Sequence, residues 1–542
     1  MNRILQSKKK SARTPIFFLT IGILIGTLVV ALFSVSSPIV YVIKRVTKKP
    51  ICENCNVILI SIDTLSALHL PCYGYAKNTA PNLCAFAKKN TYFPHSFAQS
   101  YFTLPSHFSL FTGQYPSTHG MLEKEGPPLN PGLKTIPETL SKNGYETLYF
   151  GPTMSNELPL DRGIGRGFSY IHPVYNFDRS KGLQTWNDGI QMLRSNNKKG
   201  QKTFLFLHTY FVHEPYLPGT RTLRFTDDTV AEIPVNDTEY FTFSPEYIQY
   251  ARDFFRQNPA PYDAATASIY QRFMRTPDEA EARVLYDELT KMDCPRYCLM
   301  RQYFYDNKKD DPRATAYVKS LYDELIFQLD EQLQPILTSL DPELHNNTML
   351  IITADHGEEF TEHGGVFHRS LYGEILRVPL IISLPGLSSR VITAQTQGID
   401  LYPTILSMLG IPQPTKLSGI DLTPLMFGIP LPTNSHPVIA ERFDTKPAYM
   451  TTIPVKERAV VTDRWKLYIK SIDQPEHNNL ELYDVRSDPW DNRNVADKYP
   501  NIVQSLLSVH AQFAASHSIV YPAPQEARES APPDQTQRYF HY

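Results

Sequence analysis

Three segments of the chain are continuously apolar and rich in β-branched residues, over residues 56–63, 202–210 and 347–357. Such runs are typical of strands that are buried on both faces of a parallel sheet. Ahead of the third run, residues 317–337 repeat apolar positions at helical spacing. Strands that alternate with helices predict an α/β fold with a mostly parallel sheet flanked by helices.

The pattern changes in two further regions. Residues 219–312 are polar and aromatic without any buried-strand pattern, and they are interpreted as a mostly helical insertion over or beside the site. The catalytic domain that contains this insertion is predicted over residues 56–432.

The C-terminal part differs from the predicted catalytic domain. Residues 458–470 alternate like an exposed antiparallel strand, and residues 501–514 follow the period of an amphipathic helix. These patterns predict a small α+β subdomain over residues 433–518. The proline-rich tail, residues 519–542, is predicted to be disordered.

The N-terminal segment is apolar over a long stretch. A basic tail of residues 1–14 precedes residues 15–43, which carry no charge. A membrane-spanning helix needs roughly 20 apolar residues, whereas the apolar region of a signal peptide has roughly 7–15. This segment therefore predicts an uncleaved transmembrane anchor, although the basic residues on both sides of it leave the orientation open.

Composition and charge narrow the function classes. The chain has 542 residues, of which 42% are hydrophobic and 20% charged, and its formal net charge is −2. This is the composition of a globular protein with one large domain and a smaller one. The near-neutral charge gives no basic footprint for nucleic acid. The absence of a fixed-period repeat argues against solenoids and propellers.

The cysteines suggest a compartment. They are Cys52, Cys55, Cys72, Cys84, Cys294 and Cys298. An even number in close pairs fits disulfides in an oxidising compartment, although free thiols fit the same spacing. The alternative is a zinc site built from the pair Cys52 and Cys55 and the pair Cys294 and Cys298. Together with the anchor, the cysteines predict a single-pass membrane protein whose catalytic domain is periplasmic or extracellular.

Polar side chains lie where the predicted strands end. Asp63 ends the first strand, Asp355 and His356 end another, and His213 follows a third. Ligands of open α/β sheets bind beyond the carboxyl ends of the strands. Two carboxylates and an imidazole suit a divalent cation. The sequence therefore predicts a composite metal site, with His368 in the following glycine-rich loop.

The stretch "YFTLPSHFSLFTG", residues 101–113, reads as the beginning of a helix. Pro105 suits the first turn of a helix, where its missing N–H has no cost. Thr103 is then placed among unpaired backbone N–H groups, which bind tetrahedral anions such as phosphate or sulfate. The alternative is that Thr103 is only the N-cap of this helix.

Several motifs occur together in one order. They are "ILISIDTLSALHLPCYGY", "TLPSHFSLFTGQYPSTHG", "FLHTYFVHEPY", "YDELIFQLDEQL", "ITADHGEEFTEHG", "LRVPLII" and "ELYDVRSDPWDNRNVAD". In order and spacing the chain resembles the sulfatase family of the alkaline phosphatase superfamily, over roughly residues 56–515. That resemblance implies an alkaline-phosphatase-like sheet and metal-dependent ester chemistry.

The resemblance also implies roles for single residues. By position, the metal ligands are Asp63, Asp355, His356 and Thr103, and Thr103 is also the nucleophile. His213 matches a family histidine near the leaving group or the ester oxygens, and His368 matches a histidine after the Asp-His-Gly block. One of the two is expected to protonate the leaving alcohol. His107 and Lys466 are assigned to substrate binding. One divalent ion is expected (calcium, zinc or manganese), with room for a second.

One departure from the family pattern concerns the cofactor. Formylglycine-dependent sulfatases carry cysteine or serine at the position of Thr103 and arginine at the position of His107. The methyl group on the threonine Cβ means that the same oxidation would give a ketone, so formylglycine is not expected. Ser66 and Leu68 also differ from related sequences, which often carry arginine and aspartate there.

These inferences predict a membrane-anchored, metal-dependent hydrolase of sulfate or phosphate esters that acts through Thr103. Its expected partners are a sulfated or phosphorylated small molecule, glycan or lipid, and the membrane through the N-terminal helix, but no nucleic acid. One alternative is a phosphotransferase that moves a headgroup onto an envelope lipid or glycan. Another is a catalytically silent family member that binds an anionic glycan or lipid.

Overall fold

A computed structural model describes most of the predicted catalytic domain and C-terminal subdomain. The described residues are 37–46, 49–122, 128–152, 158, 160–174, 179–214, 216, 224–226, 245–257, 264–278, 280–282, 284–285, 310–338, 344, 346–414, 416–432, 436–444, 455–475 and 479–517.

Strands and helices alternate along these residues, as the hydrophobic pattern predicts. The strands are β1 (Asn56–Ile62), β2 (Thr91–Tyr92), β3 (Ser96–Phe97), β4 (Glu146–Pro152), β5 (Tyr170–Val174), β6 (Thr203–Thr209), β7 (Thr348–Ala354), β8 (Glu359–Phe360), β9 (Val366–Phe367), β10 (Leu380–Ser383), β11 (Arg390–Val391), β12 (Thr396–Gln397), β13 (Val438–Asp444), β14 (Val455–Val461), β15 (Trp465–Ile469) and β16 (Leu480–Asp484). The helices are α1 (Pro38–Val46), α2 (Pro81–Lys89), α3 (Thr103–Thr112), α4 (Pro116–His119), α5 (Ile136–Lys142), α6 (Arg179–Lys198), α7 (Pro245–Gln257), α8 (Ala264–Arg275), α9 (Pro312–Thr338), α10 (Gly373–Leu376), α11 (Leu401–Leu409), α12 (Thr423–Met426) and α13 (Pro500–Ser516).

The central sheet is mixed. Within the described residues, eight strands lie in the order β11-β2-β10-β7-β1-β6-β4-β5. The five strands from β7 to β5 run parallel, while β10 is antiparallel to both of its neighbours. Parallel strands end at the same edge, so the residues that follow β1, β6 and β7 meet there.

Both faces of this sheet are covered by helices, which is why its strands are mostly apolar. All seven residues of β1 are buried. Because side chains alternate along a strand, Ile58 and Ile60 pack in one layer with Leu325 of α9. Leu59 packs in the opposite layer with Phe108 of α3. Each such side chain contributes about 1.5–3 kcal/mol of burial free energy.

The C-terminal sheet corrects one prediction. Residues 458–470 do not form a single exposed strand; β14 and β15 form an antiparallel pair, joined at a turn where the N–H of Thr462 donates to the carbonyl oxygen of Trp465 at 2.8 Å. Val460 and Leu467 pair across the two strands and pack with Val503 of α13. Ala459 and Tyr468 pack on the opposite face, so the hairpin is buried on both faces. Among the described residues it belongs to a four-stranded sheet ordered β13-β14-β15-β16.

The predicted membrane localisation is contradicted. In the part of the chain that the structure describes, no helix combines the length and the apolar character needed to cross a bilayer. Of the predicted anchor, residues 15–36 lie outside the described residues, and residues 38–43 belong to α1. This helix has nine residues and ends with Lys44 and Arg45 in its last turn. It rises only about 14 Å, against the roughly 30 Å of a bilayer core.

The structure shows that the first cysteine pair forms a disulfide, not free thiols or part of a zinc site. Cys52 is bonded to Cys55, and Cys72 is bonded to Cys84. Cys52 and Cys55 are therefore not thiolate ligands of zinc. Cys294 and Cys298 lie outside the described residues, as does the tail from residue 518. The described parts of the predicted insertion include the helices α7 and α8.

Candidate active site at the carboxyl ends of the central strands

Two carboxylates and an imidazole meet at the carboxyl edge of the central sheet. The register pairs Ile62 of β1 with Ala354 of β7, so the next residues, Asp63 and Asp355, lie side by side. Ligand atoms of Asp63, Asp355 and His356 all lie within 4.8 Å of one another, and the three side chains are buried. The structure thus brings these three predicted residues together.

Thr103 joins this group from the first turn of α3. The N-cap of α3 is Phe102, which makes no side-chain capping hydrogen bond, and Gly113 ends the helix in a left-handed conformation. The hydroxyl of Thr103 donates to Asp63 Oδ2 at 3.2 Å and lies 3.4 Å from His356 Nε2. Thr103 is therefore not the N-cap, and its side chain faces the carboxylate and the imidazole.

The tautomer of His356 follows from its hydrogen bond. Its Nδ1 donates to the carbonyl oxygen of Gly357 at 2.9 Å, so Nε2 carries the lone pair. Nε2 lies 3.6 Å from Asp355 Oδ2 and 3.9 Å from Asp63 Oδ1. Burial lowers the pKa of His356, which keeps the imidazole neutral and able to bind a metal ion.

Asp355 is held as a carboxylate. Burial alone would raise its pKa, but His356, His107 and His208 together with the N–H of His356 outweigh burial, and the pKa lies below its ordinary value. In the described part of the chain, its Oδ2 is buried and accepts no hydrogen bond. A buried carboxylate oxygen without a donor is costly unless a cation binds there. The donor set of two carboxylates, a neutral imidazole and a hydroxyl fits a divalent cation.

Two further histidines lie beside His356. The ring centroids of His368 and His356 are 4.7 Å apart, and those of His368 and His213 are 5.4 Å apart. His368 Nδ1 donates to Glu358 Oε1 at 3.0 Å, whereas His213 Nδ1 donates to the carbonyl oxygen of Glu214 at 2.6 Å. Both predicted histidines therefore belong to the same cluster, and His368 has the carboxylate of Glu358 behind it.

His107 lies beneath the group rather than at its surface. It is fully buried, and its Nδ1 donates to the carbonyl oxygen of Thr103 at 2.9 Å. Its Nε2 accepts from the hydroxyl of Ser61 at 3.0 Å, and Nδ1 lies 3.5 Å from Asp355 Oδ2. Burial lowers the pKa of His107, so the ring is neutral. These contacts support the backbone of Thr103, while the predicted substrate-binding role stays a prediction.

Lys466 lies in the C-terminal sheet. Its ammonium group forms an ion pair with Asp491, and both side chains are 1% exposed. The ammonium also lies 5.7 Å from the ring centroid of Tyr372 and 5.9 Å from that of Tyr468. Among the described residues, these contacts of Lys466 are with the C-terminal part of the chain and Tyr372, and none of them is with Asp63 or Asp355. Substrate binding by Lys466 stays a prediction.

Sequence reasoning gave no role to Ser61 of β1, and it offered His208 of β6 only as an available ligand for a second ion. Ser61 and His208 face each other across β1 and β6, and His208 Nδ1 donates to the carbonyl oxygen of Ser61 at 3.0 Å. His208 Nε2 lies 3.7 Å from Asp63 Oδ2, and burial lowers the pKa of His208 to about 3. A polar residue inside an otherwise apolar strand is the signal that marks both positions.

A second group of ligand atoms lies nearby, formed by Glu359, His363 and Glu374. His363 Nδ1 pairs with Glu374 Oε1 at 2.6 Å, and Nε2 donates to the carbonyl oxygen of Asp491 at 2.9 Å. Burial would lower the pKa of His363, but the hydrogen bond and charge of Glu374 raise it to about 9. Both ring nitrogens are engaged, so this group joins the loop after β7 to the C-terminal subdomain.

The fold and this arrangement define an α/β enzyme with its polar centre at a sheet edge. A family model described as sulfatase matches residues 55–411, and one described as N-sulphoglucosamine sulphohydrolase, C-terminal, matches residues 361–515. The chain belongs to the sulfatase family and is a sulfatase-like ester hydrolase.

Known proteins of both sulfate and phosphonate chemistry resemble it. A Δ4,5-hexuronate-2-O-sulfatase of Bacteroides thetaiotaomicron is 24% identical over 83% of this chain and 87% of its own length. A structure in complex with its substrate D-glucosamine-2-N,6-O-disulfate has a TM-score of 0.59, with 19% identity over 87% of this chain and 100% of that chain. The phosphonate monoester hydrolase of Agrobacterium radiobacter has a TM-score of 0.58, with 17% identity over 85% of this chain and 96% of that chain. At these identities the solved structures establish the fold.

Proposed function

We propose that the protein is a metal-dependent hydrolase of sulfate or phosphate esters that uses Thr103 as its nucleophile. The observation that carries this proposal is the position of one hydroxyl. Thr103 Oγ1 is buried at the beginning of α3, donates to Asp63 Oδ2 at 3.2 Å and lies 3.4 Å from His356 Nε2. A hydroxyl placed between a carboxylate and a neutral imidazole is well placed for activation as a nucleophile.

Asp63, Asp355, His356 and Thr103 are the proposed ligands of one divalent cation, either calcium, manganese or zinc. When bound, the cation supplies charge stabilisation to the ester and lowers the pKa of the threonine hydroxyl. The protein contributes the low pKa of Asp355 and the neutral state of His356, so neither group has to lose a proton before it binds.

The covalent step is a displacement at sulfur or phosphorus. Thr103 Oγ1 forms a bond to that atom while the bond to the ester oxygen breaks, and the proton of the hydroxyl passes to Asp63 Oδ2, which already accepts its hydrogen bond. The departing oxygen takes a proton from a histidine. Water then attacks the Thr103 ester and the same histidine accepts its proton. Inorganic sulfate or phosphate leaves while the Thr103 oxygen takes back the proton held by Asp63, which restores the hydroxyl.

His368 is the better candidate for that histidine. Donation to a departing oxygen requires the imidazolium form, with Nε2 protonated while Nδ1 still donates to a partner. The partner of His368 is the carboxylate of Glu358, which stabilises an imidazolium. His213 Nδ1 donates to the neutral carbonyl oxygen of Glu214 at 2.6 Å, and we assign His213 to contact with the ester oxygens.

The cofactor of most sulfatases is excluded by the chemistry of threonine. Formylglycine is an aldehyde at Cβ, and the methyl group on Cβ of Thr103 prevents its formation. The proposed enzyme therefore uses an unmodified hydroxyl. Peptide mapping of the purified protein should find Thr103 at its unmodified mass.

The proposed substrate class is a sulfated glycan, with phosphate and phosphonate esters as the alternative. The related proteins named above act on a sulfated hexuronate, a sulfated glucosamine and a phosphonate ester. The hydroxyl nucleophile suits phosphoryl transfer, whereas family membership favours sulfate. A panel of sulfated disaccharides, phosphate esters and phosphonate esters, each with calcium, manganese and zinc, separates these classes.

The nucleophile is tested with Thr103→Ala and Thr103→Ser. Removal of the hydroxyl should cost about 10⁴-fold or more in kcat, while serine should retain measurable activity because it keeps the hydroxyl. Rapid quench with intact-mass measurement should find one sulfuryl or phosphoryl group on the wild-type peptide that contains Thr103. Full activity of a correctly folded Thr103→Ala protein would contradict the proposal.

A further inference from the structure

Thr64 has an unusual backbone conformation beside the metal-ligand candidates. It follows Asp63 directly, is fully buried, and has φ = 56°. A β-branched residue is rare in the left-handed region, because its Cβ comes close to the neighbouring carbonyl oxygen. A residue held in such a conformation needs strong support from the surrounding structure.

That support comes from two sides. The N–H of Thr64 donates to Asp355 Oδ1 at 3.3 Å, so the turn after β1 is tied to the carboxylate after β7. The carbonyl oxygen of Thr64 accepts from the hydroxyl of Tyr322 at 2.6 Å, and that hydroxyl accepts from the N–H of Ser66 at 3.0 Å. The left-handed turn therefore aims a backbone donor at Asp355 and is fixed by a buried tyrosine of α9.

The side chain of Thr64 has no comparable partner. Its Oγ1 is buried and makes no hydrogen bond to any residue that the structure describes. A buried hydroxyl without a partner is destabilising, and valine would fill the same volume without that cost. Glycine or asparagine would suit the backbone better. Neither packing nor backbone geometry therefore explains threonine at this position.

We propose that Thr64 is a positioning residue of the active centre, whose main chain orients Asp355 and whose hydroxyl hydrogen-bonds an oxygen that enters with the ligands. This inference rests on the proposed function. That oxygen belongs either to a water on the cation or to the ester itself. Both sources present an oxygen next to Asp63 and Asp355, and the measurements below distinguish them.

The test compares Thr64→Val with Thr64→Ser. Valine keeps the branched shape and removes the hydroxyl, whereas serine keeps the hydroxyl. The thermal midpoint of the metal-free protein and the Kd of Mn²⁺ are measured first. The Kd of vanadate, an anion that resembles the ester group, is then measured at saturating Mn²⁺, and calorimetry reports both constants without turnover.

Thr64→Val should raise the midpoint of the metal-free protein by about 1–3 °C, because an unpaired buried hydroxyl is removed. It should also weaken binding by about fivefold or more, through loss of one hydrogen bond. Weaker Mn²⁺ binding identifies a water on the cation, and weaker vanadate binding alone identifies the ester oxygen. Thr64→Ser should bind both like the wild type.

Two results would overturn the inference. If Thr64→Val lowers the midpoint, or binds Mn²⁺ and vanadate as tightly as the wild type, the hydroxyl has no role toward a ligand. In that case wild-type binding still supports the proposed function. Wild-type protein that binds neither probe would contradict the proposed function, and this inference with it.

Discussion

Replacement of Glu358 by glutamine tests the assignment of His368 as the group that protonates the leaving oxygen. Glu358 is fully buried, and its Oε1 accepts the hydrogen bond of His368 Nδ1 at 3.0 Å. Glutamine has the same size and keeps an oxygen acceptor at this position. The substitution therefore removes the negative charge behind the imidazole and leaves the packing unchanged.

The size of the effect follows from the two kinds of hydrogen bond. A hydrogen bond to a charged group contributes about 1.5–3 kcal/mol, and one between neutral groups about 0.5–1.5 kcal/mol. The difference, about 1–1.5 kcal/mol, corresponds to roughly a tenfold lower rate for a step that needs the imidazolium. The substitution destabilises the neutral form of His368 much less, because its Nδ1–H still has an acceptor.

The assay compares two esters of the same acid, sulfate or phosphate, that differ only in the leaving group. A nitrophenolate leaves without a proton, whereas an alkyl or sugar alkoxide needs one. Glu358→Gln should lower the burst-phase rate on the alkyl ester by about tenfold and on the nitrophenyl ester by about twofold or less. The burst phase is used because later hydrolysis of the Thr103 ester also involves His368.

His213→Gln is the matched control, because the histidine there has a neutral carbonyl partner. It should affect both leaving groups equally, since contact with the ester oxygens does not depend on the leaving group. An equal loss on both esters with Glu358→Gln, or no loss on the alkyl ester, would refute the assignment of His368.

Three further predictions concern stability. Mn²⁺ at 100 times its Kd should raise the unfolding free energy by about 2.7 kcal/mol, and Asp355→Asn should abolish this gain. Thermal melts with and without EDTA measure the gain. Wild-type melts that do not change with EDTA would argue against a metal site. Tyr322→Phe removes a buried hydroxyl that bonds the N–H of Ser66, and it should cost about 1–3 kcal/mol in urea unfolding. The pKa of His363 is raised to about 9 and that of Glu374 to about 7. Each group in the folded protein holds a proton that the same group releases in the unfolded chain. The free energy of unfolding should therefore fall with rising pH, up to about 7 for Glu374 and up to about 9 for His363. His363→Gln should remove the fall between pH 6.5 and 9, and an identical pH profile of melting would contradict this.

Much of the fold could be predicted because the strands are buried on both faces. Five of the seven buried positions of β1 are apolar, so its existence and its place in a parallel sheet follow from the pattern. The hairpin of β14 and β15 could not be read from the same kind of pattern. Its turn, at residues 462–464, is polar, and an alternating pattern continues across it. Both faces of β14 are buried, and one of them packs against α13, which is distant in the sequence.

The candidate site was predictable where it depends on strand ends. Asp63 and Asp355 follow two strands that the register places side by side. The supporting residues were not predictable, because their contacts depend on register and side-chain direction. His107 lies under Thr103, donates to its carbonyl oxygen and accepts from Ser61 of the central sheet, and no spacing in the sequence indicates these contacts. Lys466 pairs with a buried aspartate, which no spacing in the sequence indicates.

The balance of charges around Thr103 determines whether the helix start alone can bind an anionic ester. Burial keeps His356, His107 and His208 neutral, while Asp355 remains a carboxylate. An anionic ester about 4 Å from one carboxylate is repelled by about 4 kcal/mol at an effective dielectric constant of 20. The beginning of a helix offers an anion only about 0.3–1 kcal/mol, and about 2 kcal/mol in favourable geometry. The helix start alone therefore does not draw an anionic ester to Thr103, and in the proposed mechanism the cation held by the same carboxylates reverses that repulsion.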